Sequence, residues 1–495
     1  MAKVIITRLA TGVPGLDAIL GGGLPEFSFN LIDGAPGCGK TTLAHQLMFA
    51  MATAERPALY LTVFGEPPLK MLRYQQQFDF FDEQQVGTAV HFANLAEVML
   101  AGNLNEVLKC IAGEVEKISP AFVFIDSFRS IVAAGTHTEI EHQGLQKFLQ
   151  NLGVMMSSWQ ATTFLIGEYF SDADANPALT VADGLIWLSQ SVQRNSMVRK
   201  MQVMKMRGQA TLPGLHSFRM GAAGIEIFAP IPGALSAPTT MHWSRFVERL
   251  RTGIAELDAM LGGGIPRGYS ILVAGPSGSG KSTLAAKFLT EGVRDGETGV
   301  VVAFEQHFSL ARNRALDDCI HAGTVGVVEV IAPDLSIDEI IISLLREIGR
   351  LNAKRVVIDS MSGFELSLAP TFRDDFRESI LRLVTTLTNL GVTVMLTSEM
   401  EDRYTDLRFS ASGTAFLTDA IIVQRYIELN SCLRRMIAVI KLRASAHSNQ
   451  MREFYIDDDG IHIGDMFLNQ EGLLGGRPTE KNRSMHPSAN DLKNA

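Results

Sequence analysis

The chain has 495 residues, of which 46% are hydrophobic and 20% charged, with a net charge of −9. This composition suits large buried cores and excludes global disorder, and the acidic balance argues against a protein whose main task is gripping nucleic acid. No uninterrupted apolar run approaches a membrane span, and Cys38, Cys110, Cys319 and Cys432 are isolated, without metal-ligand spacing, which reads as a reduced cytoplasmic protein.

Taken in chain order, the N-terminus Met1–Arg8 lacks a signal-peptide layout. Thr11-Gly12-Val13-Pro14-Gly15-Leu16-Asp17 and Gly21-Gly22-Gly23-Leu24-Pro25 lead into an apolar run, Phe29–Ile32, and then into Gly34-Ala35-Pro36-Gly37-Cys38-Gly39-Lys40-Thr41. That octet fits G-x-x-x-x-G-K-[ST], and the helical pattern Leu43–Met51 follows it. Strand, glycine loop and helix form the context in which backbone N–H groups turn inward at a helix N-terminus and cradle phosphate. Gly37, Cys38, Gly39, Lys40, Thr41 and Thr42 are therefore the first candidate nucleotide-binding set. Lys40 would reach the β- and γ-phosphates of ATP, and Thr41 would place a hydroxyl on Mg²⁺.

Further apolar runs, Ala58–Phe64, Phe122–Ile125 and Thr162–Ile166, read as buried strands separated by helices. Asp126 ends one of them and suits the metal-shell aspartate of a Walker B strand; the alternative is an Asp that only caps the next helix. Glu66, after Phe64, is the candidate for orienting the attacking water; the alternative is a solvated loop acid. Lys205-Met206-Arg207 places two cations at alternate strand positions, where they can stabilise charge on a transferred phosphoryl group or form an ordinary surface pair.

Everything then recurs. Lys281 follows Lys40 by 241 positions, within Gly275-Pro276-Ser277-Gly278-Ser279-Gly280-Lys281-Ser282. The lead-in returns at the same offset as Thr252–Asp258 and Gly262–Pro266. Asp359 follows Asp126 by 233, and Lys441 and Arg443 follow Lys205 and Arg207 by 236. Gly278, Ser279, Gly280, Lys281, Ser282 and Thr283 form the second binding set, with Ser282 and Asp359 as its metal pair and Glu305 as its carboxylate. Counting from the runs before them sets Glu66 beside Gln306. The result is a tandem duplication of one α/β domain with a mostly parallel sheet: residues 1–230 and 244–470, a Pro-rich linker over 231–243, and a polar, flexible tail over 471–495.

Together these residues resemble the KaiC family within the RecA/DnaB-like ATPases, over roughly Thr7 to Gly464. The carriers are the lead-in T-G-x-x-x-L-D-x-x-L-G-G-G-[LI]-P, both glycine loops, Phe124–Ser127 with Val357–Ser360, the K-[ML]-R triplets, Thr418–Ile422 and Arg452–Phe454. The resemblance implies two tandem RecA-like P-loop domains stacked as a hexameric double ring. ATP and Mg²⁺ would sit between neighbouring subunits, with Lys205, Arg207, Lys441 and Arg443 acting on the neighbour's nucleotide. It also implies ATP hydrolysis, regulatory protein partners of the KaiB kind, and serine/threonine autokinase activity in the second domain. Two departures stand out. The family's paired glutamates are reduced to Gly65-Glu66 and Glu305-Gln306, and its Ser-Thr phosphate acceptors fall on Ala415-Phe416, with Ser410, Ser412 and Thr414 nearby. The chain therefore reads as a homologue outside the cyanobacterial oscillator. A RecA/DnaB-like nucleic-acid-dependent ATPase and a nucleotide-binding scaffold with little turnover remain the alternatives. Cys38 reads either as a tolerated small residue or as a thiol activated by the helix-terminal amides.

Overall fold

The computed structural model describes residues 6–63, 68–100, 104–127, 139–167, 181–193, 196–230, 248–304, 314–330, 335–373, 376–400, 417–458, 460–468, 470–475 and 479–480. Glu66, Glu305, Gln306, Ser410, Ser412, Thr414, Ala415 and Phe416, with the linker 231–243, lie outside these. The chain divides into two compact units, Met1–Pro230 and Ile231–Ala495.

The first unit runs β1 (Phe29–Gly34), α1 (Lys40–Met51), β2 (Ala58–Thr62), β3 (Val90–Asn94), α2 (Leu104–Ile118), β4 (Phe122–Asp126), α3 (Glu139–Ser158), β5 (Thr162–Gly167), β6 (Gly184–Gln193), β7 (Ser196–Met206), β8 (His216–Gly221) and β9 (Gly224–Phe228). Its nine-stranded sheet has the order β3-β2-β4-β5-β1-β6-β7-β8-β9. Strands β3 through β6 pair in parallel, and β6 to β9 turn back as antiparallel neighbours. Every residue of β1, β2 and β5 is buried, as a parallel sheet covered on both faces requires. Leu43, Leu47 and Met48 of α1 pack one face; Ile111 of α2 with Leu149 and Leu152 of α3 pack the other.

The second unit repeats this order with β10 (Ser270–Gly275), α4 (Lys281–Arg294), β11 (Gly299–Ala303), β12 (Val325–Glu329), α5 (Ile337–Leu351), β13 (Arg355–Asp359), α6 (Phe376–Asn389), β14 (Thr393–Glu399), β15 (Ala420–Leu429), β16 (Cys432–Leu442), β17 (Arg452–Asp457) and β18 (Gly460–Met466). Its sheet order, β12-β11-β13-β14-β10-β15-β16-β17-β18, matches the first strand for strand. Ile337, Ile340, Ile341, Leu344 and Ile348 make one apolar stripe of α5, at the helical period read from the sequence. Each such side chain contributes about 1.5–3 kcal/mol when removed from water.

The lead-in motif has a structural explanation. Asp17 Oδ1 accepts from the Thr11 amide (3.0 Å) and hydroxyl (2.7 Å), and Asp258 Oδ1 accepts from the Thr252 amide (2.8 Å). These bonds fold the segment into a short helix that seats Leu16 or Leu257 in the core. An ion pair follows in each unit, Arg56 to Glu26 at 2.8 Å and the half-buried Arg267 to Glu297 at 2.5 Å. The tail does not begin as a free segment at Glu471. Gln470–Glu471 pairs with Thr479–Glu480, and Leu473 is buried against Ile427, Met436 and Ala438.

Candidate functional site

The two glycine loops sit at the carboxyl ends of β1 and β10, the central strands, where parallel α/β sheets bind ligands. The helices begin earlier than their apolar periodicity suggests, at Lys40 and Lys281. Gly39 and Gly280 precede them at φ 106° and 101°, in the left-handed region. A Cβ on Gly280 would also lie 2.5 Å from Ile456 Cδ1, so a larger residue there would be strained in its backbone and would force the Ile456 side chain to shift. Lys40 Nζ donates to the carbonyls of Gly34 (2.7 Å) and Ala35 (2.9 Å), and Lys281 Nζ to those of Gly275 (2.9 Å) and Pro276 (2.8 Å). Both ammonium groups thus lie inside their own loops. Burial holds Lys281 below the ordinary lysine range, with Glu399 and Asp359 opposing that shift.

A side chain from the adjoining strand steadies each loop from outside. Gln190 Nε2 of β6 donates to the Pro36 carbonyl at 3.2 Å, and Tyr426 of β15, at the corresponding position, donates to the Gly278 carbonyl at 2.6 Å. The loops differ underneath. Cys38 is buried in the apolar cluster that also contains Leu188. Burial pushes its thiol up, the Lys40 charge and amides only partly opposing, which favours the reading of Cys38 as a tolerated small residue.

Asp126 and Asp359 end β4 and β13, next to the loops, as expected. Thr41 Oγ1 donates to Asp126 Oδ2 at 2.9 Å, so the first loop's hydroxyl and its aspartate meet. Tyr60 of β2 donates to the same oxygen at 2.7 Å. Burial first, and Asp126 second, hold the Tyr60 hydroxyl well above the usual tyrosine range, so it stays a donor. In the second unit Ser282 is exposed, and Asp359 Oδ1 instead accepts from Thr397 of β14 at 2.5 Å. The helix-cap alternative fails for Asp359: Ser360 caps the next helix, its Oγ accepting from the Gly363 amide at 3.3 Å. Strands β2 and β11 correspond at the offset of 241, since Thr62 and Ala303 pair with Asp126 and Asp359.

The basic triplets do not lie wholly on strands. Lys205 and Lys441 are within β7 and β16, but Arg207 and Arg443 fall one residue beyond their ends. Arg207 donates to Asp183 (3.0 Å) and Arg443 to Asp419 (3.3 Å), and the two guanidinium side chains stay 58% and 53% exposed. Asp183 also accepts from the Phe29 amide, and Asp419 from the Ser270 amide and hydroxyl. Burial lowers both Lys205 and Lys441, and the adjacent arginine adds to the effect. Register fixes where this group sits. Gly184 pairs with Asn30 and Met206 with Gly184, which puts Lys205 and Arg207 at the start of β1, opposite the glycine loop. Six residues of β1 separate the two ends, about 20 Å at strand rise. Asp183 was missed in the sequence, although it precedes Asp419 by the same 236 positions as the triplets. Tyr60 and Thr397 carried no periodic signal, because neither recurs in the other unit.

No helix among the described residues is long and apolar enough to cross a membrane, and no cluster of three metal-ligating side chains occurs among them. One hydroxyl and one carboxylate beside a phosphate cradle suit Mg²⁺, which takes most of its ligands from water and phosphate.

Two sheets of this topology, each with a P-loop on its central strand and an aspartate ending a strand nearby, define a tandem P-loop ATPase of the RecA-like type. A family model for the KaiC ATPase matches residues 9–231 and 250–466. The chain belongs to the KaiC family. It is 26% identical over 487 residues to the circadian clock oscillator protein KaiC of Prochlorococcus marinus (strain MIT 9313), covering 96% of each chain. It is also 26% identical over 488 residues to circadian clock oscillator protein KaiC 1 of Synechocystis sp., covering 96% of this chain and 92% of that one.

Proposed function

We propose that this protein is an ATP-hydrolysing regulator that assembles as a hexameric ring, with one nucleotide site at a subunit interface for each unit. The observation that carries this reading is the separation of Lys205 and Arg207 from their own loop by the full length of β1. Within one subunit they cannot touch the phosphates that Lys40 binds. Their exposed guanidinium and partly desolvated ammonium instead suit the nucleotide of a neighbour, and Lys441 with Arg443 repeats the arrangement.

In this reading Gly37–Thr42 and Gly278–Thr283 cradle ATP, with Lys40 and Lys281 leaving their loop carbonyls for the phosphates. Thr41 with Asp126 and Ser282 with Asp359 would hold Mg²⁺, which supplies charge neutralisation between the phosphates. Glu66 and Glu305 orient water. Autokinase activity gains no support at Ala415 and Phe416, which carry no hydroxyl. The acidic composition keeps nucleic acid a minor alternative, and partners of the KaiB kind remain a proposal.

Subunit complementation tests this. Lys40→Ala should lose nucleotide at the first site, whereas Arg207→Ala should bind it and hydrolyse it slowly. With Lys281→Ala in both chains to silence the second site, mixing them should restore first-site hydrolysis, because some interfaces then combine an intact Lys40 with an intact neighbouring Arg207. Mass photometry with ATP should give six times the mass of one chain. Absence of recovery in mixed rings, or a monomer with full activity, defeats the proposal.

A further inference from the structure

We propose that Tyr60 is a positioning residue for Asp126, so that the two nucleotide sites orient their metal-facing carboxylates from opposite flanks. This rests on reading Asp126 as a metal-shell group. The Tyr60 hydroxyl donates to Asp126 Oδ2 at 2.7 Å, and Thr41 donates to that same oxygen at 2.9 Å. Two donors on one oxygen remove the rotation that a lone strand-end carboxylate would keep.

The Tyr60 ring is itself fixed. It is fully buried, with the rings of His45, Phe92 and Phe124 at centroid distances of 4.5, 5.8 and 6.1 Å. Parallel register pairs Tyr60 with Phe124 and Thr62 with Asp126, which aims the hydroxyl along the sheet face toward the carboxylate.

The second unit is built differently at the same places. Val301 replaces Tyr60 and offers no donor. Thr397, where the first unit has the buried Ile166, donates to Asp359 from β14, on the other side of the aspartate strand. Each site has thus kept one neutral donor and exchanged its side. A hydrogen bond to an ionised carboxylate is among the stronger kinds, and outer partners of this sort tune metal affinity.

The test uses the full chain in a Lys281→Ala background, which silences the second site. The readouts are the Mg²⁺ dependence of binding of a fluorescent ATP analogue and Mn²⁺ binding followed by electron paramagnetic resonance. Tyr60→Phe keeps the ring and should raise the half-saturating Mg²⁺ about tenfold, without changing metal-free nucleotide affinity. Asp126→Ala should abolish the metal dependence. In the reciprocal Lys40→Ala background, Thr397→Val should raise the Mg²⁺ requirement and Tyr60→Phe should not. If Tyr60→Phe leaves the Mg²⁺ curve unmoved while Asp126→Ala abolishes it, the positioning role is overturned and the site reading survives. If Asp126→Ala also leaves the curve unmoved, the site reading falls and the positioning role with it.

Discussion

Arg355 Nε lies 2.7 Å from Glu297 Oε2, and this buried pair occupies the place where the first unit stacks Arg56 over the ring of Phe122. Arg355 is only 1% exposed and also donates to the carbonyls of Arg251 (2.7 Å) and Phe288 (2.8 Å). Removing it leaves two carbonyls without their donor and Glu297 with Arg267 as its remaining cation. Arg355→Met should destabilise the second unit by about 3–5 kcal/mol. Far-UV circular dichroism during urea unfolding reads this. In a Trp243→Phe chain the remaining tryptophans, Trp159 and Trp187, belong to the first unit, so the fluorescence transition should stay in place.

His45 predicts a pH dependence for the first unit. It is fully buried, and burial lowers its pKa to about 4, a contact with the Gln75 side chain only partly opposing that shift. An unfolded histidine titrates near 6.5, so as pH falls from about 6.5 toward 4 the unfolded chain takes up a proton that the folded one refuses. Stability is complete above pH 6.5 and declines below it, by about 3 kcal/mol once pH reaches 4. Urea midpoints from tryptophan fluorescence at pH 7 and pH 5 should differ in the wild type. In His45→Ala, which copies Ala286 of the second unit, that difference should shrink even though the variant starts less stable.

Cys38 should resist modification. Its thiol is buried and shifted upward, whereas Cys432 is exposed. Iodoacetamide followed by peptide mass spectrometry should label Cys432 first and Cys38 at least roughly tenfold more slowly, until urea opens the first unit. Equal labelling of the folded chain would show that the loop opens readily.

Asp419 braces both the start of β10 and Arg443. Asp419→Ala leaves the buried Ser270 amide unpaired and should cost about 1–3 kcal/mol in the second unit. Because this brace lies at the far end of the sheet from its own loop, KM for ATP should hardly move, while kcat should fall as Arg443 loses its anchor. A steady-state kinetic comparison in a Lys40→Ala background separates the two effects.

Much of this architecture was legible in the sequence because duplication supplied an internal control. Lys40 with Lys281, Asp126 with Asp359 and the two triplets each appear twice, and buried strands announce themselves as apolar runs. Sequence spacing did not reveal the ends of β7 and β16, because a pattern of alternate cations looks the same whether the last cation sits in the ladder or one step past it. Nor did it reveal the side-chain partners of the aspartates. Tyr60 and Thr397 meet those carboxylates from strands that are neighbours only after the sheet has formed, and in each case the other unit has an apolar residue instead.

The ion pairs Glu26–Arg56 and Arg267–Glu297 have opposite polarity at equivalent positions. Tandem copies of one fold are prone to exchange matching segments while folding. Here an exchange of lead-in segments would set Glu26 against Glu297 and Arg267 against Arg56. Two attractions would become two repulsions, so the reversed charges would disfavour such an exchange.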